Sequence, residues 1–265
     1  MTNLIRSLWQ FRSFIVGMVY RDFMGKHLGS ILGSLWAIIT PLALILIYTV
    51  IFSQVMKTRL PEVTSTMGYG FFICIGVICW SFFSETVLKG QTVFLEHSNL
   101  IKKSKFPHAS LLLIVLFSTF VNFLIIFSLF MIVLIVTGNF PGWVILTIFP
   151  LLLLQQAFAL GLGFLLGILN VFFRDIGPLT GIVLQFWFWL TPVVYPISIL
   201  PEPIKELILR LNPLAPLVAS YQKIILFSEY PVWSDFSFQI VLAFFTPVVC
   251  FFFYKHFSGE IVDEL

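Results

Sequence analysis

The longest stretch of this chain without Asp, Glu, Lys or Arg runs from Phe106 to Phe173, and this stretch constrains the fold most. A helix rises about 1.5 Å per residue, so about 20 apolar residues cross a hydrocarbon core that is about 30 Å thick. The stretch is therefore long enough for two membrane spans. A second neutral stretch, from Leu28 to Met56, is long enough for one.

The composition indicates a membrane protein and excludes two soluble classes. Of the 265 residues 59% are hydrophobic and 10% are charged, whereas roughly 25% of residues are charged in an ordinary soluble domain. The formal net charge of +3 is too small for the basic field that nucleic-acid binding requires. The three cysteines lie in apolar stretches without metal-ligand spacing, so we expect neither a disulfide framework nor a metal site.

We predict an all-α membrane protein with six transmembrane helices, an N-terminal amphipathic interfacial helix and short re-entrant extracytoplasmic helices. The predicted organisation is a cytoplasmic interfacial helix at residues 1–27, a membrane domain at 28–257 and a cytoplasmic tail at 258–265. The spans are expected at about residues 28–53, 67–88, 110–137, 142–169, 176–195 and 236–257.

The lysines and arginines predict the orientation, because cytoplasmic segments carry an excess of them. Ten lie in segments that alternate to one side: Arg6, Arg12, Arg21, Lys26, Lys89, Lys102, Lys103, Lys105, Arg174 and Lys255. Five lie on the other side: Lys57, Arg59, Lys205, Arg210 and Lys223. We therefore expect both termini in the cytoplasm.

The first 27 residues have the pattern of an amphipathic helix. Leu4, Leu8, Phe11, Ile15 and Met18 recur at helical spacing, with basic and small polar residues on another face. The pattern predicts a helix in the plane of the lipid headgroups, attracted to anionic lipid. A helix packed against other protein is the alternative.

The segment at residues 196–235 contains two short helical patterns on the extracytoplasmic side. The first covers residues 204–211, with one apolar and one charged face, and ends at Asn212 and Pro213. The second is the apolar stretch from Leu217 to Phe227. Each is too short to span, which predicts helices lying on or dipping into the outer leaflet. Helices buried within the protein are the alternative.

Side chains for chemistry are scarce. Glu85 is the only acid well inside a predicted span, and a paired structural role is favoured over proton transport. All four histidines fall at cytoplasmic edges, and no nucleotide loop, nucleophile motif or metal cluster is present in the sequence. We therefore expect a protein that is not an enzyme, with no catalytic residue, no metal and no cofactor of its own.

The cytoplasmic loop between the second and third predicted spans has the pattern of a docking element. An apolar and basic segment ends at Pro107, and its candidate contact residues are His97, Asn99, Leu100, Ile101, Lys102, Lys103 and Lys105. An ordinary positively charged membrane anchor is the alternative.

Six segments in order resemble a known family, the membrane subunits of type 2 ABC exporters for polysaccharides, called Wzm-like O-antigen export permeases. Nearly the whole chain takes part. The segments are Arg21 to Phe23 with Gly29 to Leu42, Ile47 to Ser53, Asn99 to Pro107, Phe172 to Asp175, Pro192 to Pro196, and Leu211 to Leu214. The resemblance implies six spans per protomer and a homodimer enclosing a channel in the bacterial cytoplasmic (inner) membrane.

The resemblance also implies partners. Two separate nucleotide-binding subunits, Wzt-like, would bind ATP and Mg and contact the docking loop and the N-terminal helix, including Arg6 and Arg12. The implied cargo is a polysaccharide linked to polyprenyl pyrophosphate, with O-antigen as the leading case and capsular polysaccharide or teichoic acid as alternatives. A stand-alone carrier or channel fits less well because buried ionisable side chains are scarce. A membrane-embedded polymerase fits least well because the predicted outer loops lack a cluster of carboxylates or arginines.

Aromatic faces would let such a polymer slide without fixing its register. The candidates for lining a channel are Trp36, Trp80, Trp187, Trp189 and Tyr195, although Trp and Tyr also populate membrane interfaces. The candidates for its cytoplasmic entrance are Arg21, Lys26 and Arg174, and Arg174 is further expected to pair with Asp175.

Overall fold

The computed structural model describes residues 11–25, 32–52, 68–102 and 109–265, which form helices joined by turns, with no strand among them. The α-helices are α1 (Arg12–Gly25), α2 (Trp36–Ile47), α3 (Gly68–Glu96), α4 (Ser98–Ile101), α5 (Ala109–Val136), α6 (Ile148–Phe172), α7 (Ile176–Leu190), α8 (Glu202–Leu211), α9 (Ala215–Phe227) and α10 (Ser237–Glu264). A π-helix, Tyr48–Phe52, continues α2. The predicted all-α membrane class is confirmed.

Four helices of the described chain are long and apolar enough to cross a membrane. They are α3, α5, α6 and α10, and they coincide with the second, third, fourth and sixth predicted spans. The helices α2 and α7 lie within the first and fifth predicted spans and have 12 and 15 residues. A helix of 15 residues extends only about 22 Å, so these two reach less far than the others.

Helix α3 lies at the centre of the bundle and packs against α5, α6, α7 and α9. Glycines let it approach α6 backbone to backbone. A Cβ on Gly163 would lie 3.0 Å from the carbonyl oxygen of Val87, and a Cβ on Gly167 would lie 2.6 Å from that of Gly90. Small residues at such a crossing are the usual means by which membrane helices pack closely. The pattern of glycines thus places α3 and α6 in direct contact.

Polar side chains inside this core are paired across helices. Thr86 of α3 donates a hydrogen bond of 2.7 Å to the side chain of Gln156 of α6. Gln155 donates to the carbonyl oxygen of Cys79 at 2.8 Å and accepts from the hydroxyl of Tyr221 at 3.0 Å. Because a buried polar group without a partner is costly, these bonds fix the register of α3, α6 and α9.

The two short helices between α7 and α10 have different environments. Helix α8 has no buried residue, whereas α9 buries seven of its thirteen residues, among them Leu217, Tyr221 and Ile224. Helix α9 packs chiefly on α3, with fewer contacts to α6. Burial within the protein, the alternative expectation, therefore describes α9, whereas α8 is exposed. Hydrogen bonds hold α9 in place: Tyr221 donates to Gln155 of α6, and Gln222 donates to the carbonyl oxygens of Pro192 and Val193.

Apolar side chains cover the outside of the bundle. Helix α10 exposes six phenylalanines, namely Phe238, Phe244, Phe245, Phe251, Phe252 and Phe253. Helix α7 likewise exposes Ile182, Phe186, Trp189 and Leu190. An apolar surface of this extent is the surface that a hydrocarbon environment or another membrane-embedded chain would cover.

Candidate functional site

The C-terminal parts of α1 and α3 and the N-terminal part of α5 enclose a half-open cleft of about 370 Å³. One wall is apolar and the other carries charges of both signs. The lining residues are Met18, Arg21, Asp22, Lys89, Val93, Glu96, His97, Ile114, Val115 and Ser118. The N-terminal helix and the docking loop, which the sequence patterns predicted as two separate contact elements, therefore meet at this cleft.

A network centred on Lys89 joins the three helices beneath this cleft. The Nζ atom of Lys89 lies 2.5 Å from Oδ2 of Asp22 on α1, 2.5 Å from Oγ of Ser118 on α5 and 3.5 Å from Oε1 of Glu85. The hydroxyl of Ser118 donates to Asp22, and the side-chain amide of Asn122 donates to Oε2 of Glu85 at 2.6 Å. Glu85 is thus paired, as the sequence favoured.

The docking loop starts directly after α3. His97 precedes the single turn of α4; Asn99 and Lys102 are exposed, and Leu100 is half-buried. Ile101 is only 3% exposed and packs in an internal cluster with Ile15, Leu111 and other apolar side chains. Lys103 and Lys105 lie outside the described residues. Leu100 and Ile101 were both predicted as contact residues, but in the structure only Leu100 reaches the surface.

The electrostatic environment of His97 favours its neutral form. Burial is the main cause and lowers the pKa of the imidazole below its ordinary value. The carboxylates of Glu96 and Asp22 act in the opposite direction, and the guanidinium of Arg21 adds to the lowering. At neutral pH the side chain of His97 is therefore an uncharged hydrogen-bonding group on the cleft wall.

The other residues that were predicted on the cytoplasmic side lie on α1 and in the turn between α6 and α7, or outside the described residues. Arg12 is exposed on α1, and Arg21 is exposed at the cleft. Arg174 is exposed in the turn between α6 and α7, and within the described part of the chain it forms no ion pair with Asp175, so that prediction is wrong. Both side chains are exposed there, which leaves little electrostatic gain from pairing. Arg6 and Lys26 lie outside the described residues.

Two of the five candidate aromatic side chains belong to the core. Trp80 is only 7% exposed, and its ring centroid lies 6.3 Å from that of Trp187 in an edge-on arrangement. Trp187 also packs edge-on against Phe83 at 5.4 Å, and its indole N–H donates to Oδ1 of Asn212 at 2.9 Å. Trp80 is therefore not presented to a surface of this protomer, contrary to its prediction as a lining residue.

The remaining three candidates are open to the outside. Trp36 is 41% exposed on α2 and Trp189 is 60% exposed on α7. Tyr195 is half-buried, and its hydroxyl donates to the carbonyl oxygen of Trp189 at 3.1 Å. These rings lie on the two short apolar helices and the turn that follows the second.

Sequence reasoning missed several residues at these places. Asp22, Ser118 and Asn122 contact Lys89 or Glu85 from helices that are distant in the chain, and only the spacing of Glu85 and Lys89, four residues apart on one helix, was a readable signal. Within the described residues no three His, Cys, Asp or Glu side chains are grouped as metal ligands. The charged and polar side chains of the site join α1, α3 and α5 to one another.

Comparison with known proteins gives a consistent set of matches. The profile of the ABC-2 type transporter family matches residues 15–226. An O-antigen export system permease protein RfbA of Myxococcus xanthus is 32% identical over 225 residues, which cover 84% of each chain. Two proteins of the same name from Klebsiella pneumoniae are each 27% identical, over 209 and 211 residues, covering 78% and 79% of each chain.

Proposed function

This chain belongs to the ABC-2 type transporter family, and from that membership we propose that it is the membrane permease of an O-antigen export system. The observation that carries the proposal is the 32% identity with an O-antigen export permease over 84% of both chains. The family profile, which matches residues 15–226, covers the helices from α1 to α9. The expected resemblance to Wzm-like permeases is confirmed.

The proposed role of the chain is to provide the path, not the energy. ATP and Mg would be bound by a separate Wzt-like ATPase subunit, two copies of which would serve a homodimer of this permease in the bacterial cytoplasmic membrane. The cargo would be a polysaccharide linked to polyprenyl pyrophosphate, moved from the cytoplasmic to the outer side. The scarcity of ionisable side chains in the spans supports energy supplied from outside the chain.

The ATPase contact is proposed for the cytoplasmic surface around α4. The exposed side chains of Asn99 and Lys102 and the half-buried Leu100 form an outward-facing edge there, and Arg12 is exposed on α1. His97 holds the start of that edge against the cleft. Trp36, Trp189 and Tyr195 are proposed as aromatic faces towards the channel or the second protomer, because Trp36 and Trp189 are exposed and Tyr195 is half-buried beside Trp189.

Deleting the gene for this chain is expected to remove long-chain polysaccharide from the cell surface while lipid-linked polysaccharide accumulates inside. The reason is that synthesis on the cytoplasmic side continues when the exit is lost. Extraction of surface and intracellular glycans, with the gene restored on a plasmid as control, measures both pools. Loss from the surface without accumulation inside would assign the chain to synthesis and contradict the proposal.

Leu100→Asp is expected to lower export roughly tenfold while the permease still folds and the ATPase still hydrolyses ATP, because a carboxylate on the docking edge weakens an apolar contact. Export rate, ATPase activity and the amount of folded permease are measured together. Leu100→Met conserves the volume and should export normally. Ile101→Asp instead buries a carboxylate in the internal cluster and should lower the folded amount itself. Normal export by Leu100→Asp would contradict the proposed contact.

A further inference from the structure

We propose that Lys89 is a positioning residue, whose ion pairs and hydrogen bonds hold α1 against α3 and α5. As a result the two cytoplasmic elements, α1 and α4, would move together with the membrane bundle. The clasp is the set of side chains Asp22, Glu85, Lys89, Ser118 and Asn122. This inference rests on the proposed function, since it assigns the clasp the transmission of ATPase movement to the spans.

The ammonium group of Lys89 is held in one position by partners on three helices. An ammonium group has three N–H donors, and Nζ of Lys89 has three side-chain oxygens within 3.5 Å, one each from α1, α5 and α3 itself. A lysine that merely reached for the headgroups would direct its ammonium into water. The Lys89 side chain is instead only 21% exposed and points into the junction of three helices.

The position of α1 depends on the clasp because of how α1 contacts the rest of the protein. In its described part, Ile15 is the one buried side chain. Asp22 lies seven residues further on, two helical turns along the same face. The opposite face exposes Val16 and Tyr20. Three partly buried side chains pack beside Ile15 against the same apolar cluster, namely Phe14, Met18 and Val19. Asp22 adds a charged contact about 10 Å beyond Ile15 along the helix, and losing the Lys89 ion pair removes this charged contact between α1 and α3.

Helix α3 connects the clasp to the docking loop. Seven residues, about 10 Å of helix, separate Lys89 from Glu96, and His97 and α4 follow immediately. The next residue after Lys89 is Gly90, where α3 meets the backbone of α6 at Gly163. A movement of α4 or α1 is thus transmitted through this short segment of α3 to the region where α3 contacts both α5 and α6.

The clasp is also charge-matched in a way that a purely structural anchor does not need. Lys89 lies between two carboxylates, and the second oxygen of Glu85 is satisfied by Asn122. Removing only Lys89 takes away the cation that contacts both carboxylates, which costs stability. Removing Lys89 and the charge of Asp22 together lowers that cost in folding stability but still leaves α1 without its ion pair to α3. The double variant therefore distinguishes a role of the clasp in coupling from a role in folding stability alone.

The test compares Lys89→Met, the double variant Lys89→Met with Asp22→Asn, and Lys255→Met, which removes an exposed cytoplasmic lysine from α10 as the matched control. Each is assembled with its ATPase partner in lipid vesicles. Export of lipid-linked polysaccharide, ATP hydrolysis, the folded amount and amide hydrogen exchange of residues 12–25 are measured on the same samples.

We expect Lys89→Met and the double variant to export roughly tenfold less per ATP hydrolysed, and α1 to exchange its amide hydrogens roughly tenfold faster, with Lys255→Met unchanged. The double variant should recover the folded amount without recovering export. The proposal is overturned if the double variant exports normally, or if exchange in α1 is unaltered in both. If the wild-type complex moves no such polysaccharide, the proposed function fails, and the exchange of α1 alone still decides the clasp.

Discussion

A leucine at Gly161 is expected to prevent α6 from reaching α10 and to remove most of the folded permease from mild detergent. A Cβ at this position would lie 2.6 Å from the backbone nitrogen of Pro247 and 2.7 Å from the carbonyl carbon of Thr246. Backbone atoms cannot rotate away as a side chain can, so the two helices must separate. Overpacking costs about 1–3 kcal/mol when a core can adjust, and here the cost should exceed that range.

The proline explains why a glycine is needed at this crossing. Pro247 lies inside α10 and has no backbone N–H, so the helical ladder is interrupted at that turn. The chain of α6 fits against the interruption only where it carries no side chain. Thermal unfolding of purified Gly161→Leu and Gly161→Ala permeases measures the effect, with alanine expected to be the milder of the two.

Gly259→Leu is the matched control for this experiment. It makes the same change in the exposed cytoplasmic part of α10, where a Cβ would meet nothing within 4 Å. A leucine there should leave the unfolding temperature unchanged or raise it slightly, because glycine is the poorer helix former. Equal unfolding temperatures for Gly161→Leu and Gly259→Leu would show that α6 and α10 are not in the close contact described.

Asn212→Leu is expected to destabilise the permease by about 2–5 kcal/mol, because it leaves two donors without their acceptor. Oδ1 of Asn212 accepts from the indole N–H of Trp187 at 2.9 Å and from the backbone N–H of Leu214 at 3.0 Å. Its amide also donates to Leu190 and to the hydroxyl of Thr191. One side chain therefore fastens the end of α7 to the start of α9.

A double-mutant cycle with Trp187→Phe tests this account of Asn212. The phenylalanine removes the indole donor, so part of the cost of Asn212→Leu should vanish in the double variant. Asn139→Leu is the control, since the side chain of Asn139 donates one hydrogen bond within its own turn. Unfolding in denaturant measures all four proteins. Strictly additive effects of Asn212→Leu and Trp187→Phe would argue against a shared bond.

The positions of the helices could be predicted from the sequence because hydropathy is a local signal. The predicted spans at 67–88, 110–137 and 142–169 each fall on a long helix, and the helix boundaries differ by a few residues at most ends. Helix α3 is the exception, since it continues to Glu96, eight residues beyond its predicted span. In that extension the side chain of Lys89 pairs with Asp22 of α1, and the backbone carbonyl oxygen of Gln91 accepts from Asn170 of α6. These contacts hold the extension against the neighbouring helices.

The orientation of side chains could not be predicted, because it depends on helices that meet only after folding. Trp80 and Trp189 are the same residue type in similar apolar stretches, yet one is buried and the other exposed. Lys89 was counted as an ordinary cytoplasmic lysine, while its partner Asp22 lies 67 residues earlier. Only the pairing with Glu85, one turn away, was local enough to be read from the sequence.

The polar core of α3 has a consequence for how the protein is made. The hydroxyl of Thr86 bonds within α3 to the carbonyl oxygen of Phe82, but its acceptor on α6, the side chain of Gln156, follows only 70 residues later. The side chain of Asn170, which donates to the backbone carbonyl oxygen of Gln91, follows after 79 residues. At a synthesis rate of about 5–20 residues per second, roughly 4–14 seconds pass between the emergence of Thr86 and of Gln156 from the ribosome. During that time α3 lacks the hydrogen bonds that fix its register against α6. The cell's quality control therefore meets this protein first as an unfinished bundle.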